Sequence, residues 1–171
     1  MSLCIGPTAT SFQPPSPVFS EAVRRADPKN ILRSGHIHPE LARRIERLIE
    51  DAAGQGMGLY VEEGYRSPER QAQLIHDSRG VTHARPGYSF HNYGLAVDIT
   101  FRNAKGGPSW SESHDWKKLG ELGKKQGLFW GGDWKHPVDR THFQLLPNDQ
   151  ISRVRQLTHE VGLQKMWERV R

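Results

Sequence analysis

Leu95, Val97, Ile99 and Phe101 alternate with Ala96, Asp98 and Thr100. That period of two specifies a strand with one apolar face. The apolar set must turn to a core, so Asp98 is turned to the opposite face, where a carboxylate can serve a site. Seven residues upstream stands His91, in a glycine- and proline-punctuated loop over residues 80–94. A second short run, His142 to Leu145, puts Phe143 and Leu145 on one face and His142 and Gln144 on the other. If the two strands pair, Asp98 and His142 project from the same face and His91 can close a third corner. Two imidazoles and one carboxylate make a three-ligand set for a single zinc ion, with the fourth position open. Three residues before His142 lies Asp139, a second carboxylate placed to act as a base.

The surrounding pattern supplies a frame for these residues. From Pro39, the residues Leu41, Ile45, Leu48, Ile49 and Ala52 share one helical face, and Gly54 and Gly56 stop the helix. Leu59 to Glu63 reads as a strand that ends in Gly64-Tyr65-Arg66. Ser67 is expected to cap the next helix, with Pro68 at its first position and Ala72, Leu74 and Ile75 inward, ending near the Ser78-Arg79-Gly80 turn. Ser111 is expected to cap a helix carrying Trp116, Leu119 and Leu122, terminated by Gly127. Beyond Pro147, Ile151, Val154, Leu157 and Val161 give another amphipathic helix, and Leu163, Met166, Trp167 and Val170 repeat the spacing after Gly162. Three segments follow: residues 1–28, rich in Pro, Ser and Thr, as an extended or mobile arm; residues 29–147 as the zinc-binding domain; and residues 148–171 as a helical extension packed on it.

At 171 residues the chain can bury one core without staples. Its net charge of +5 favours an anionic partner such as an acidic polymer. The basic residues are scattered and accompany no nucleic-acid motif, which argues against DNA or RNA. Cys4 is the only cysteine, which excludes an intrachain disulfide and a cysteine-based zinc cluster. No apolar run reaches membrane-spanning length. The N-terminus lacks a basic and then apolar leader, so an ordinary secretory signal is not expected and delivery needs another route.

The nine histidines need sorting. His36, His38, His76, His83, His114 and His159 read as surface or satisfied core residues. His136 lies near enough to Asp139 and His142 to be a rival ligand. Asp133, in Trp130-Gly131-Gly132-Asp133-Trp134, reads as a turn residue bonding its own backbone. Arg66 reads either as half of a surface ion pair or as a clamp on a carbonyl or carboxylate oxygen.

Three segments carry a family resemblance. They are Glu63-Gly64-Tyr65-Arg66-Ser67 followed by Gln71; Ser-x-His-x-x-Gly-x-Ala-x-Asp at Ser89, His91, Gly94, Ala96 and Asp98; and Trp130-Gly131-Gly132-Asp133-Trp134 leading to Asp139-x-x-His142-Phe143. Over about residues 37–146 the chain resembles the zinc D-Ala-D-Ala carboxypeptidase and L-alanoyl-D-glutamate endopeptidase family of bacterial and phage cell-wall enzymes. The resemblance implies zinc on His91, Asp98 and His142, Asp139 as acid/base, and Arg66, Ser89 and Gln71 at the substrate. Relatives that act as dipeptidases or carboxypeptidases more often carry Glu at the position of Asp139. Aspartate there, with the Trp-Gly-Gly-Asp-Trp loop, is more similar to the endopeptidases, including phage endolysins. His136-Pro137 departs from the family pattern.

The expected fold is α+β, hedgehog/DD-peptidase-like: a small, mostly antiparallel sheet with helices on one face and a zinc cleft on the other. The expected activity is hydrolysis of a peptidoglycan stem peptide at L-Ala–D-Glu, by a monomer that reaches the wall through a holin or dedicated secretion. The alternatives are a D-Ala-D-Ala carboxypeptidase of the same chemistry and a non-catalytic, zinc-stabilised wall-binding module.

Overall fold

The computed structural model describes residues 20–77 and 84–170. Helix α1 (Glu21–Ala26) precedes the long helix α2 (Pro39–Ala53). Strand β1 (Leu59–Glu63), helix α3 (Pro68–His76), strand β2 (Ala96–Arg102) and the two-residue β3 (Pro108–Ser109) follow. Then come helix α4 (Trp116–Lys125), β4 (Phe129–Trp130), β5 (His142–Gln144), and helices α5 (Ile151–Val161) and α6 (Leu163–Arg169). The sheet runs β1-β2-β5-β4, with β3 added to β2, and every pairing is antiparallel. This is the expected α+β class.

The apolar period of α2 does what it dictates. Leu41, Ile45, Leu48 and Ala52 are fully buried at 0% exposure. Each large side chain removed from water in this way stabilises the fold by about 2 kcal/mol. They join Val61, Val97, Ile99, Leu119 and Phe143 in one core. Helix α4 lies so close to the sheet that a Cβ on Gly123 would run into the Phe143 ring, and one on Gly120 into Trp130. The α2 and α4 side of the sheet is therefore dry, and the polar alternates of β2 and β5 are left to the other side.

Register decides the rest. Val97 stands opposite Phe143 on the core side, so Asp98 stands opposite His142 on the other. A bond from Ile99 N to Thr141 O at 2.8 Å extends this pairing past the strand end.

Several expectations are corrected. The arm predicted over residues 1–28 is helical at Glu21–Ala26, where Ser20 accepts from Val23 N and Val23 and Ala26 enter the core at 2% exposure; residues 1–19 lie outside the described residues. The inward residues of α3 are Gln71 and Leu74, whereas Ala72 and Ile75 are exposed. The predicted turn at Ser78-Arg79-Gly80 lies outside the described residues. Asp115, not Ser111, caps α4, its side chain accepting from Lys118 N at 2.9 Å. Among the described residues no helix is long and apolar enough to cross a membrane.

Candidate metal centre and cleft

His91 is delivered by a single 3-10 turn, Phe90–Tyr93, whose N-cap is Ser89. Gly94 ends that turn at φ +64°, and a Cβ there would strike the carbonyl of His36. Only glycine satisfies both the left-handed backbone and the close approach. The turn is stitched to the segment after β1: Arg66 N donates to His91 O at 3.0 Å and Asn92 Nδ2 donates to Arg66 O at 2.8 Å. Asp98 and His142 come from facing positions of β2 and β5.

The three side chains meet. His91 Nε2 is 3.2 Å and His142 Nδ1 is 3.3 Å from Asp98 Oδ1, and the two ring nitrogens are 3.2 Å apart. Their neighbours set the tautomers. His91 Nδ1 lies 2.7 Å from Gly64 O, a pure acceptor, so that nitrogen carries the hydrogen. His142 Nε2 lies 2.8 Å from Gln144 Oε1. Gln144 spends its amide hydrogens on Leu146 O at 2.7 Å and Asn148 Oδ1 at 2.8 Å, so its own oxygen is the acceptor. Both nitrogens that face Asp98 are therefore lone pairs. Three acceptors and no donor converge on one point, and Asp98 Oδ1 is buried without a hydrogen bond. Such a set repels itself until a cation joins it, which is the arrangement of a metal centre with oriented imidazoles. Among the described residues, these three form a group able to hold a metal ion.

Without a cation a proton takes its place in this group. Burial opposes ionisation of Asp98, but the His91 and His142 rings, when protonated and donating to it, outweigh that and hold the carboxyl well below its ordinary range. Burial likewise opposes protonation of His142, yet Asp98 and then Asp139 raise its pKa above the ordinary 6.5. Protons therefore compete for His142 Nδ1 at a higher pH than for a free histidine. Metal affinity, measured by calorimetry, should fall about tenfold per pH unit as pH drops through that raised value towards about 5. Asp98 stays ionised across this window and adds no further loss.

Arg66 is only 4% exposed. Nε donates to Glu63 Oε2 at 3.0 Å, Nη1 to Gln71 Oε1 at 2.9 Å, and Nη2 to both Glu63 and Asp98, the latter at 3.3 Å. Four of its five N–H groups are committed to described residues, and one on Nη1 has no partner among them. Neither a surface ion pair nor a free clamp describes it: it is a buried guanidinium that orients Asp98. Gln71, expected at the substrate, is instead fully buried and does not line the cleft. Its amide nitrogen donates to Ala84 O at 2.7 Å, so it ties Arg66 to the cleft-bordering loop.

These groups open into a cleft of about 480 Å³ lined by Arg66, Ser89, His91, Asp98, Asp139 and His142, with Trp134 and Val138 among its apolar contributors. Thr141 donates to Asp139 Oδ1 through its backbone N at 3.2 Å and its hydroxyl at 2.8 Å. Oδ2 has no such partner among the described residues. The glycine-tryptophan loop sets this geometry, because a Cβ on Gly131 would lie 2.5 Å from Asp139 O and 3.1 Å from His142 Cβ. Trp130 Nε1 donates to Arg140 O at 2.8 Å. Trp134 packs at 5.0 Å on the His142 ring. Asp133, expected to bond its own backbone, is instead engaged by Lys124 in an exposed ion pair at 2.9 Å. His136, the rival ligand, is exposed and outside the metal group. Sequence reasoning missed Glu63 and Gln144 as orienting partners; the alternation that placed Gln144 on the His142 face was the available signal.

Known proteins place this geometry. A family model described as D-alanyl-D-alanine carboxypeptidase matches residues 82–145. The peptidoglycan L-alanyl-D-glutamate endopeptidase CwlK of Bacillus subtilis (strain 168) is 34% identical over 125 residues, covering 66% of this chain and 75% of its own. The chain belongs to the D-Ala-D-Ala carboxypeptidase and L-alanyl-D-glutamate endopeptidase family. Within that family, the L-alanyl-D-glutamate peptidase of Listeria phage A118 is 29% identical over 100 residues, covering 57% of this chain and 34% of its own. The Serratia marcescens L-Ala D-Glu endopeptidase ChiX superposes with a TM-score of 0.56 at 28% identity, over 74% of this chain and 90% of that one. The fold alone is shared with the D,D-pentapeptidase VanY from the VanB-type resistance cassette, solved with Zn(II), at a TM-score of 0.52 and 20% identity over 78% and 85% of the two chains.

Proposed function

We propose that this chain is a zinc-dependent endopeptidase that cuts the L-Ala–D-Glu bond of the peptidoglycan stem. The observation that carries it is the convergence of three metal-ready acceptors beside Asp139 in one open cleft, in a chain whose relatives include L-alanyl-D-glutamate peptidases. Zinc fits the donor set. A tetrahedral ion with ligand bonds of about 2.0 Å needs adjacent ligand atoms about 3.3 Å apart. The three separations here are 3.2, 3.2 and 3.3 Å. His91, Asp98 and His142 would hold the ion and leave its fourth side to the cleft.

When bound, zinc supplies Lewis acidity, polarising a carbonyl and letting water react near neutral pH. The protein supplies the rest. Asp139 takes a proton from the attacking water at Oδ2, since Thr141 occupies Oδ1, and returns it to the leaving amine. Arg66 keeps Asp98 in place and offers its remaining Nη1 hydrogen to developing negative charge. The Ser89 oxygen accepts from His91 N at 3.3 Å, which leaves its hydroxyl hydrogen for a substrate carbonyl. In this reading residues 29–147 form the catalytic unit, the substrate partner is the stem peptide, and the site of action is the cell wall.

Digesting purified sacculi with the zinc-loaded protein and sequencing the released muropeptides by mass spectrometry tests the bond. New D-Glu amino termini are expected. Release of free D-alanine alone would instead make the protein a carboxypeptidase, and wall binding with no new amino groups would make it a binding module.

A further inference from the structure

The matched family segment stops at residue 145, but the cleft does not. Asn148, just before α5, and Ile151, its first residue, line the cleft together with Asp98, Asp139 and His142. Asn148 is joined to the metal group through Gln144, whose Nε2 donates to Asn148 Oδ1 at 2.8 Å and whose Oε1 accepts from His142. One turn further along α5, Arg155 Nη1 donates to the Tyr88 hydroxyl at 2.6 Å, and its guanidinium carbon lies 4.7 Å from the Tyr88 ring centre. Tyr88 is 46% exposed and borders the same cleft.

This part of the chain is fixed, not draped. Val154 and Met166 are fully buried, and Trp167 Nε1 donates to Tyr93 O at 2.7 Å. Tyr93 belongs to the turn that carries His91. The last two helices are thus anchored to the element that positions a metal-group residue, and α5 presents its N-terminal side chains to the cleft at a set distance from the chemistry.

We infer that the start of α5 is a substrate-selecting wall of the cleft, with Ile151 limiting the size of the aliphatic side chain accepted and Asn148 meeting the peptide backbone. The inference rests on the peptidase reading. α5 and its preceding turn bring no charge into the cleft lining: they contribute one aliphatic side chain and one amide. Tyr88, Trp134, Pro137 and Val138 add further uncharged lining, which an aliphatic side chain such as that of alanine can meet. The amide of Asn148 accepts from Gln144 through its oxygen, and its nitrogen, without a partner among the described residues, can donate to a substrate carbonyl. A wall of this kind discriminates by size, and a change of one methylene is worth about tenfold or more.

The test uses the zinc-loaded 171-residue chain carrying Asp139→Asn, so that ligands bind without being cut. Calorimetry compares the stem tetrapeptide with two analogues, each with one alanine replaced by leucine of the same chirality. Adding Ile151→Ala should shift the alanine-to-leucine preference at one of the two positions by about tenfold towards leucine. Adding Ile151→Phe should weaken the parent peptide by about tenfold. Zinc content should match the parent; Ile151 also packs against the core, so Ile151→Ala is expected to lower the melting temperature, and the preference ratios decide. A purely structural role for Ile151 would leave both preference ratios within about twofold, well short of what a size-selecting contact is worth, and that result overturns the wall. The cleaved bond is read separately by mass spectrometry of digests made with the unsubstituted protein. Cleavage at another bond with shifted ratios overturns the bond assignment and keeps the wall; cleavage at L-Ala–D-Glu with unshifted ratios does the reverse.

Discussion

Replacing Asp139 with asparagine should leave zinc bound at one ion per chain and lower turnover by about a thousandfold, the middle of the range that a positioned acid/base contributes. The geometry separates the two effects. Asp139 lines the cleft but stands outside the metal group, so its loss removes no ligand atom. Its backbone and Oδ1 contacts survive the change: Asp139 N to Gly131 O at 3.0 Å is untouched, and the asparagine carbonyl can still accept from Thr141. What disappears is a basic oxygen able to carry a proton between water and the leaving amine. Metal content by elemental analysis and muropeptide release by chromatography decide the matter together. Activity within about tenfold of the parent would remove Asp139 from the proton-transfer role; loss of zinc along with activity would move it into the metal's support.

Much of this arrangement is legible in the chain, for definable reasons. The alternation at Leu95–Phe101 fixes which way Asp98 faces, because a one-residue slip would expose the whole apolar set. The same logic puts His142 beside it. The long apolar stripe of α2 and the Ser67-Pro68 start of α3 are local signals, and the fold uses them unchanged. What escapes a sequence reading depends on contacts distant along the chain. The six-residue α1 is too short to show a period and is held by burial of Val23 and Ala26. The strands β3 and β4 have two residues each and exist only because β2 and β5 pair with them. The family resemblance implies Gln71 at the substrate, and nothing local in the sequence shows which way its side chain turns. Here it is turned inward, since the buried Arg66 needs an acceptor for Nη1 and the Ala84 carbonyl needs a donor. The role of Arg66 is hidden for the same reason, because Glu63 and Asp98 engage it only once β1 and β2 are in register. The α5 wall lies beyond the matching motifs, so nothing in them points to it.

Asp98→Asn and Gln144→Met should lower zinc affinity by different amounts, and their order tests how the centre is built. Asparagine in place of Asp98 would keep the shape and could still accept from Arg66 Nη2 through its carbonyl oxygen. It lacks the negative charge that offsets the ion's own. With the binding energy of a zinc site spread over about four ligands, losing the anionic one should weaken binding beyond about a hundredfold. Gln144→Met leaves all three ligand atoms in place, removes the acceptor that fixes the His142 tautomer, and withdraws the amide hydrogens given to Leu146 O and Asn148 Oδ1. Freed of that bond, the imidazole can place its hydrogen on Nδ1, the atom the metal needs, so affinity should fall by roughly 10- to 100-fold. Competition with a chelator of known affinity measures both. If Gln144→Met proved the more damaging, His142 would be held mainly by its outer partner. If Asp98→Asn bound zinc as the parent does, the carboxylate would not be a ligand, and the buried, unbonded Oδ1 would need a different cation.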